Sequence, residues 1–136
     1  MTNLREWQEF KDVAARRLPN RVYATLNPKG EFVINLATFE LMGEPETVLL
    51  PFDKRDDIIG LRPSTIATPN AIMVRTRHSR YNRVIRSIPF LKKHDIRLDR
   101  TVQFPAAVID REGILLLDLR TRVAAGHMPW KPKRRM

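Results

Sequence analysis

Apolar side chains recur along this chain with two different periods. Between residues 3 and 18 the period is helical: Leu4, Trp7, Phe10, Ala14 and Leu18 fall three or four positions apart and make one apolar stripe. Asn3 followed by Glu6 has the spacing of a capping box, and Pro19 stops the run. This predicts an N-terminal helix within residues 1–20, packed on its own domain rather than offered to a partner.

From residue 21 the apolar runs are short and strand-like. Segments 21–26 and 31–34 flank Asn27-Pro28-Lys29-Gly30, whose Pro and Gly positions suit a type I turn. Asn35 can cap a short helix over residues 36–42, Gly43 can end it, and Pro45 cannot continue it. Residues 47–52 and 58–61 are strand candidates joined by the polar turn 53–57. Residues 64–70, rich in Ser, Thr, Pro and Asn, read as a linker.

The same order then recurs. Segments 71–76 and 82–85 flank a basic loop, and Ser87 can cap a helix over residues 88–94. A strand is predicted over residues 101–109, a tight turn over 110–113, and a last strand over 114–119. The division is therefore an N-terminal helix (1–20), a first ββαββ unit (21–63), a linker (64–70), a second ββαββ unit (71–119) and a basic tail (120–136). Phe39 corresponds to Phe90, and Val48 and Pro51 to Val102 and Pro105. The shared order fits an internal repeat and also fits two units of separate origin. The predicted fold class is α+β: a hairpin-rich, small β-barrel-like core, the two units packed as a pseudo-dimer because neither closes a core alone, with the N-terminal helix against it.

Charge changes the picture more than composition does. The 136 residues carry a net charge of +10, and 43% of them are apolar, enough for a buried core. Residues 1–71 have nine Lys/Arg against ten Asp/Glu, a net −1, whereas residues 72–100 have nine against two, a net +7. Residues 101–118 return to −2, and residues 119–136 carry six cations and no acid. Charge segregated in this way sets up a potential that draws polyanions.

The cations fall in an arginine-rich hairpin. Arg75, Arg77, Arg80, Arg83 and Arg86 surround Tyr81, and Lys92 and Lys93 extend the charge along the following helix. The guanidinium fork can donate two hydrogen bonds to one phosphate, and Tyr81 can stack on a base or sugar. Lys131, Lys133, Arg134 and Arg135 in the tail add sequence-independent phosphate contacts. The bland alternative is a solvated face, or arginines paired with acids of the neutral half.

Catalytic chemistry finds little support in the residues. There is no cysteine, so neither disulfides nor thiolate metal sites arise. His78, His94 and His127 lie far apart, and Asp53, Asp56 and Asp57 read as a solvated turn. No nucleophile elbow, phosphate-binding glycine loop or dinucleotide fingerprint occurs. The expectation is a non-enzymatic protein with no cofactor and no metal. No stretch is apolar enough to span a bilayer, and residues 1–17 lack the apolar run of a signal peptide, so no membrane insertion and a cytoplasmic location are expected.

The two units resemble the AbrB/MraZ-like swapped-hairpin barrel family. The residues that carry the likeness are Glu31-Phe32-Val33-Ile34-Asn35 running into Leu36-Ala37-Thr38-Phe39-Glu40-Leu41-Met42-Gly43 and Thr47-Val48-Leu49-Leu50. In the second unit they are Arg83-Val84-Ile85-Arg86-Ser87 running into Ile88-Pro89-Phe90-Leu91, then Thr101-Val102-Gln103-Phe104. Only the second unit has the family's apolar-Pro pair. The resemblance implies a DNA-binding transcription regulator or antitoxin that oligomerises and uses basic residues near its first hairpin. Nucleic acid, DNA before RNA, is thus the expected partner, beside a homo-oligomer. The rival reading is an adaptor or antitoxin-like subunit whose basic face meets an acidic protein.

Overall fold

The chain is interrupted every few residues by a turn or cap, so its elements are short. A computed structural model describes residues 22–76 and 80–125. The expected helix within residues 1–20 lies outside the described residues. Strands β1 (Ala24–Leu26) and β2 (Glu31–Asn35) form the first hairpin. The Asn27 carboxamide oxygen accepts the N–H groups of Lys29 and Glu31, at 2.9 and 3.1 Å. Asn35 then caps α1 (Leu36–Leu41), its side chain accepting the Thr38 N–H at 2.9 Å. Gly43, at φ +93°, turns the chain out of the helix, and Glu44 N–H returns to the Phe39 carbonyl at 2.9 Å.

The predicted strand over 47–52 is two strands, β3 (Thr47–Leu49) and β4 (Phe52–Asp53), broken before Pro51. β5 (Ile58–Ser64) follows. The second half repeats the arrangement. β6 (Ile72–Met73) and β7 (Arg75–Thr76) lead to β8 (Asn82–Arg86), and Ser87 caps α2 (Ile88–Lys93). The predicted strand over 101–109 is likewise split around Pro105 into β9 (Val102–Gln103) and β10 (Val108–Ile109). In both places the proline lacks the N–H a continuing ladder needs. β11 (Leu115–Asp118), a 3-10 turn at Leu119–Thr121 and β12 (Val123–Ala124) complete the described chain.

The expected α+β, barrel-like core is corrected by this architecture. The protein is mostly β: two six-stranded antiparallel sheets, with two six-residue helices among the described residues. The first sheet runs β12-β9-β1-β2-β8-β7. The second runs β10-β11-β5-β3-β6, with β4 also on β5. Neither sheet closes into a barrel along the described strands, and two of the passages of the chain from one sheet to the other are sharp bends. One is Val74, between β6 and β7, whose N–H bonds the Glu46 carbonyl instead at 2.9 Å. The other is the 3-10 turn between β11 and β12.

Strand pairing is reciprocal between the halves. β1 pairs β9 while β6 pairs β3, so the strand that opens each half lies on the strand that follows the helix of the other. The hairpin β1–β2 matches β7–β8, and β4–β5 matches β10–β11. The equivalent strands β2 and β8 pair with each other, as do β5 and β11. The two halves therefore share one core. Phe32, Ile34 and Ile85 from the first sheet meet Val48, Ile59, Leu61, Leu115 and Leu117 from the second, all essentially inaccessible to water. Phe90 of α2 sits edge-on to Phe32, with ring centroids 6.2 Å apart.

Candidate nucleic-acid interface

Alternation along a strand decides which arginines face solvent. On β8, Ile85 points into the core, so Val84 and Arg86 point to the outer face of the first sheet and Arg83 to the inner side. Arg75 lies on β7 opposite Val84, at the edge of the sheet, and is exposed. Arg80 is exposed, with its guanidinium carbon 5.6 Å from the centroid of the Tyr81 ring. Tyr81 is 62% exposed, and its carbonyl accepts the Leu36 N–H at 2.7 Å. Lys92 and Lys93, both exposed, stand in the last turn of α2, where cations favour the carbonyl end of a helix.

Two of the arginines are built into the fold. The Arg83 guanidinium lies 4.7 Å from the Phe39 ring centroid and donates to the carbonyls of Arg80 and Asn82, at 2.8 and 3.1 Å. It ties the second hairpin to α1. Arg86 pairs with Glu31 directly across the β2–β8 ladder. Glu31 is buried and also accepts from the Asn27 side chain at 2.9 Å. Arg77, Lys131, Lys133, Arg134 and Arg135 lie outside the described residues. Of the expected interface, the structure thus places Arg75, Arg80 and Tyr81 on one hairpin, with Arg80 and Tyr81 beside the Asn35–Asn82 end of the β2–β8 ladder, and Lys92 and Lys93 on α2, which leaves the opposite, Glu31–Arg86 end. Neither Arg75 nor the two lysines makes an ion pair with a described residue.

A second concentration of charge was not legible from the sequence. A cleft of about 590 Å³ opens between the end of α2, the β4–β5 turn and the 3-10 turn after β11. Lys54, Arg120 and Arg122 line it together with Lys93 and Arg97. Lys54 sits in an acidic turn and the two arginines follow the last predicted strand, so no local pattern joins them. The fold does: Leu119 N–H bonds the Asp57 carbonyl at 2.9 Å, and Arg120 reaches the Arg55 carbonyl at 2.6 Å. His94 forms one wall, its ring centroid 4.5 Å from Phe52 and 4.8 Å from Phe90. Burial holds the imidazole below its ordinary pKa of 6.5, and the neighbouring Lys93 and Lys54 charges push the same way.

Among the described residues no group of three His, Asp or Glu is placed to hold a metal ion. No helix among them is long and apolar enough to cross a membrane. No protein-family model, curated protein or solved structure matches the chain.

Proposed function

We propose that the protein binds nucleic acid, DNA in preference to RNA, as a non-enzymatic cytoplasmic regulator. Contact is made through backbone phosphates. One observation carries this reading: the cations of the second hairpin and α2 that the fold does not use internally are exposed and have no carboxylate partner among the described residues. Arg75 and Arg80 would grip phosphates, Tyr81 would rest against a sugar or base, and Lys92 and Lys93, beyond the other end of the β2–β8 ladder, would add separate phosphate contacts. The AbrB/MraZ resemblance points to the same class of activity by analogy alone. Phosphate contacts carry no base code, so the binding is expected to tolerate sequence changes.

The test is a mobility-shift titration of the full chain with duplex DNA at increasing salt. Binding at about 50 mM salt that weakens steeply by about 200 mM supports the proposal; no binding at the lower salt overturns it. The rival, an acidic protein partner on the same basic face, is favoured if a partner is retained after nuclease treatment and duplex DNA does not compete.

A further inference from the structure

We propose that the cleft between α2, the β4–β5 turn and the 3-10 turn is a binding site for a small phosphate-bearing ligand of about nucleotide size. The proposal does not rest on the DNA-binding reading. It uses a concave site whose cations, Lys93 apart, the DNA-binding reading does not include.

Size comes first. A cleft of about 590 Å³ falls within the range of small-ligand sites and is too confined for a duplex. Its charge is also specific. The two carboxylates at its rim are already taken: Asp95 by Arg97, at 2.8 Å, and Asp57 by Arg120, at 3.4 Å. That leaves Lys54, Lys93 and Arg122 without a compensating acid among the described residues. Arg122 is held in place by one guanidinium N–H, which donates to the Leu119 carbonyl at 2.9 Å. Phe52 and His94 add an aromatic wall, suited to the apolar part of a phosphate ester.

The other half of the molecule supplies an internal control. By the reciprocal wiring, the β4–β5 turn corresponds to the β10–β11 turn, and the end of α2 to the end of α1. His94 caps α2 where Met42 caps α1. Met42 is buried, and a side chain added at Gly113 of the β10–β11 turn would start 3.8 Å from its carbonyl oxygen. The charged residues there are mainly acids: Glu40, Glu44, Asp110 and Glu112. The backbone arrangement alone therefore does not make a basic cleft. The cations and the histidine are particular to one end.

The His94 imidazole is a built-in reporter. A bound dianion would oppose Lys54, Lys93, Arg97, Arg120 and Arg122, while Asp57 and Asp95 are present in both states. Its arrival would therefore raise the His94 pKa. The experiment is an NMR titration of the full chain, following the His94 ring, with pyrophosphate, AMP and adenosine. Saturable shifts with pyrophosphate or AMP, a rise in the His94 pKa, and no such response to adenosine are expected. AMP binding tighter than pyrophosphate would identify a nucleotide-type ligand; the reverse would identify a polyphosphate. Lys54→Gln with Arg122→Gln should weaken binding about tenfold or more. Lys54→Gln alone, on an exposed turn, should give a smaller loss of the same sign.

Three results would overturn the proposal: no saturable shift up to about 10 mM ligand, an equal response to adenosine, or affinity unchanged in both variants. Arg75→Gln should leave these titrations unaltered, which separates this site from the DNA interface.

Discussion

Arg86 reaches across the β2–β8 ladder to the buried carboxylate of Glu31, its Nε 3.1 Å from Oε2. The side chains differ in exposure: 69% for Arg86 and 4% for Glu31. The arginine thus serves as a cap of charge over an acid the fold has taken out of water. Arg86→Ala should lower unfolding stability by about 1–3 kcal/mol, because a buried carboxylate loses the two hydrogen bonds that Arg86 donates. Glu31→Gln should cost less, since the amide oxygen can still accept from Asn27. Urea unfolding of the two single variants and the double variant checks this. Additive losses would show that the pair is not coupled.

Gly30 and Gly43 separate two reasons for a glycine. Both have positive φ, +81° and +93°. At Gly43 an added Cβ meets nothing within 4 Å, whereas at Gly30 it would lie 2.9 Å from the backbone nitrogen and Cγ1 of Ile88. Gly43→Ala should therefore cost only the left-handed backbone penalty, about 1–2 kcal/mol. Gly30→Ala should cost distinctly more, because the hairpin turn must back away from α2 and strain the 2.8 Å bond from Ser87 N–H to the Gly30 carbonyl. Equal midpoint shifts in thermal unfolding would contradict this contrast.

What the sequence made legible was local. Asn35 and Ser87 cap the helices they were expected to cap, and Asn27 organises its turn, because each acts on neighbours within four residues. What escaped was set by pairing at a distance. Pro51 and Pro105 lie inside apolar runs that read as single strands, yet each run divides: β9 and β10 join different strands, and β3 and β4 both lie on β5 while only β3 also reaches β6. The arginines show the same limit. Arg83 and Arg86 look like their neighbours in the basic run, but the register that puts Glu31 opposite Arg86 and brings Phe39 beneath Arg83 is a tertiary fact. The cleft depends on three segments far apart in the chain, so no spacing rule could find it.

That division among the arginines has a consequence in binding. Arg75→Gln with Arg80→Gln should weaken DNA binding at all sequences alike. It should also flatten the plot of log affinity against log salt by about 0.9 for each phosphate left without its cation. Arg83→Gln should instead act mainly on stability, by removing the guanidinium from the Phe39 face and from the carbonyls of Arg80 and Asn82. Mobility-shift titrations at several salt concentrations, paired with unfolding curves, separate the two effects. A full salt slope in the Arg75/Arg80 variant would remove those residues from the interface.

His94 should make the unliganded protein less stable in mild acid. Burial and the Lys93 and Lys54 charges hold its folded-state pKa below the ordinary value of 6.5. Well above pH 7 the imidazole is uncharged in both folded and unfolded chains and contributes no pH dependence. As pH falls through 6.5, the unfolded chain takes up the proton first, so unfolding is favoured. The loss levels off once the pH passes the lowered folded-state value and both states are charged. Melting temperatures measured from about pH 7 down to about pH 5, above the range where most carboxylates titrate, should fall in the parent. They should fall less in His94→Gln. A saturating phosphate ligand in the cleft should reverse part of this loss by stabilising the imidazolium in the folded state, so the same melting series run with pyrophosphate should show a shallower decline. Parallel declines in parent and variant would place the acid sensitivity elsewhere in the molecule.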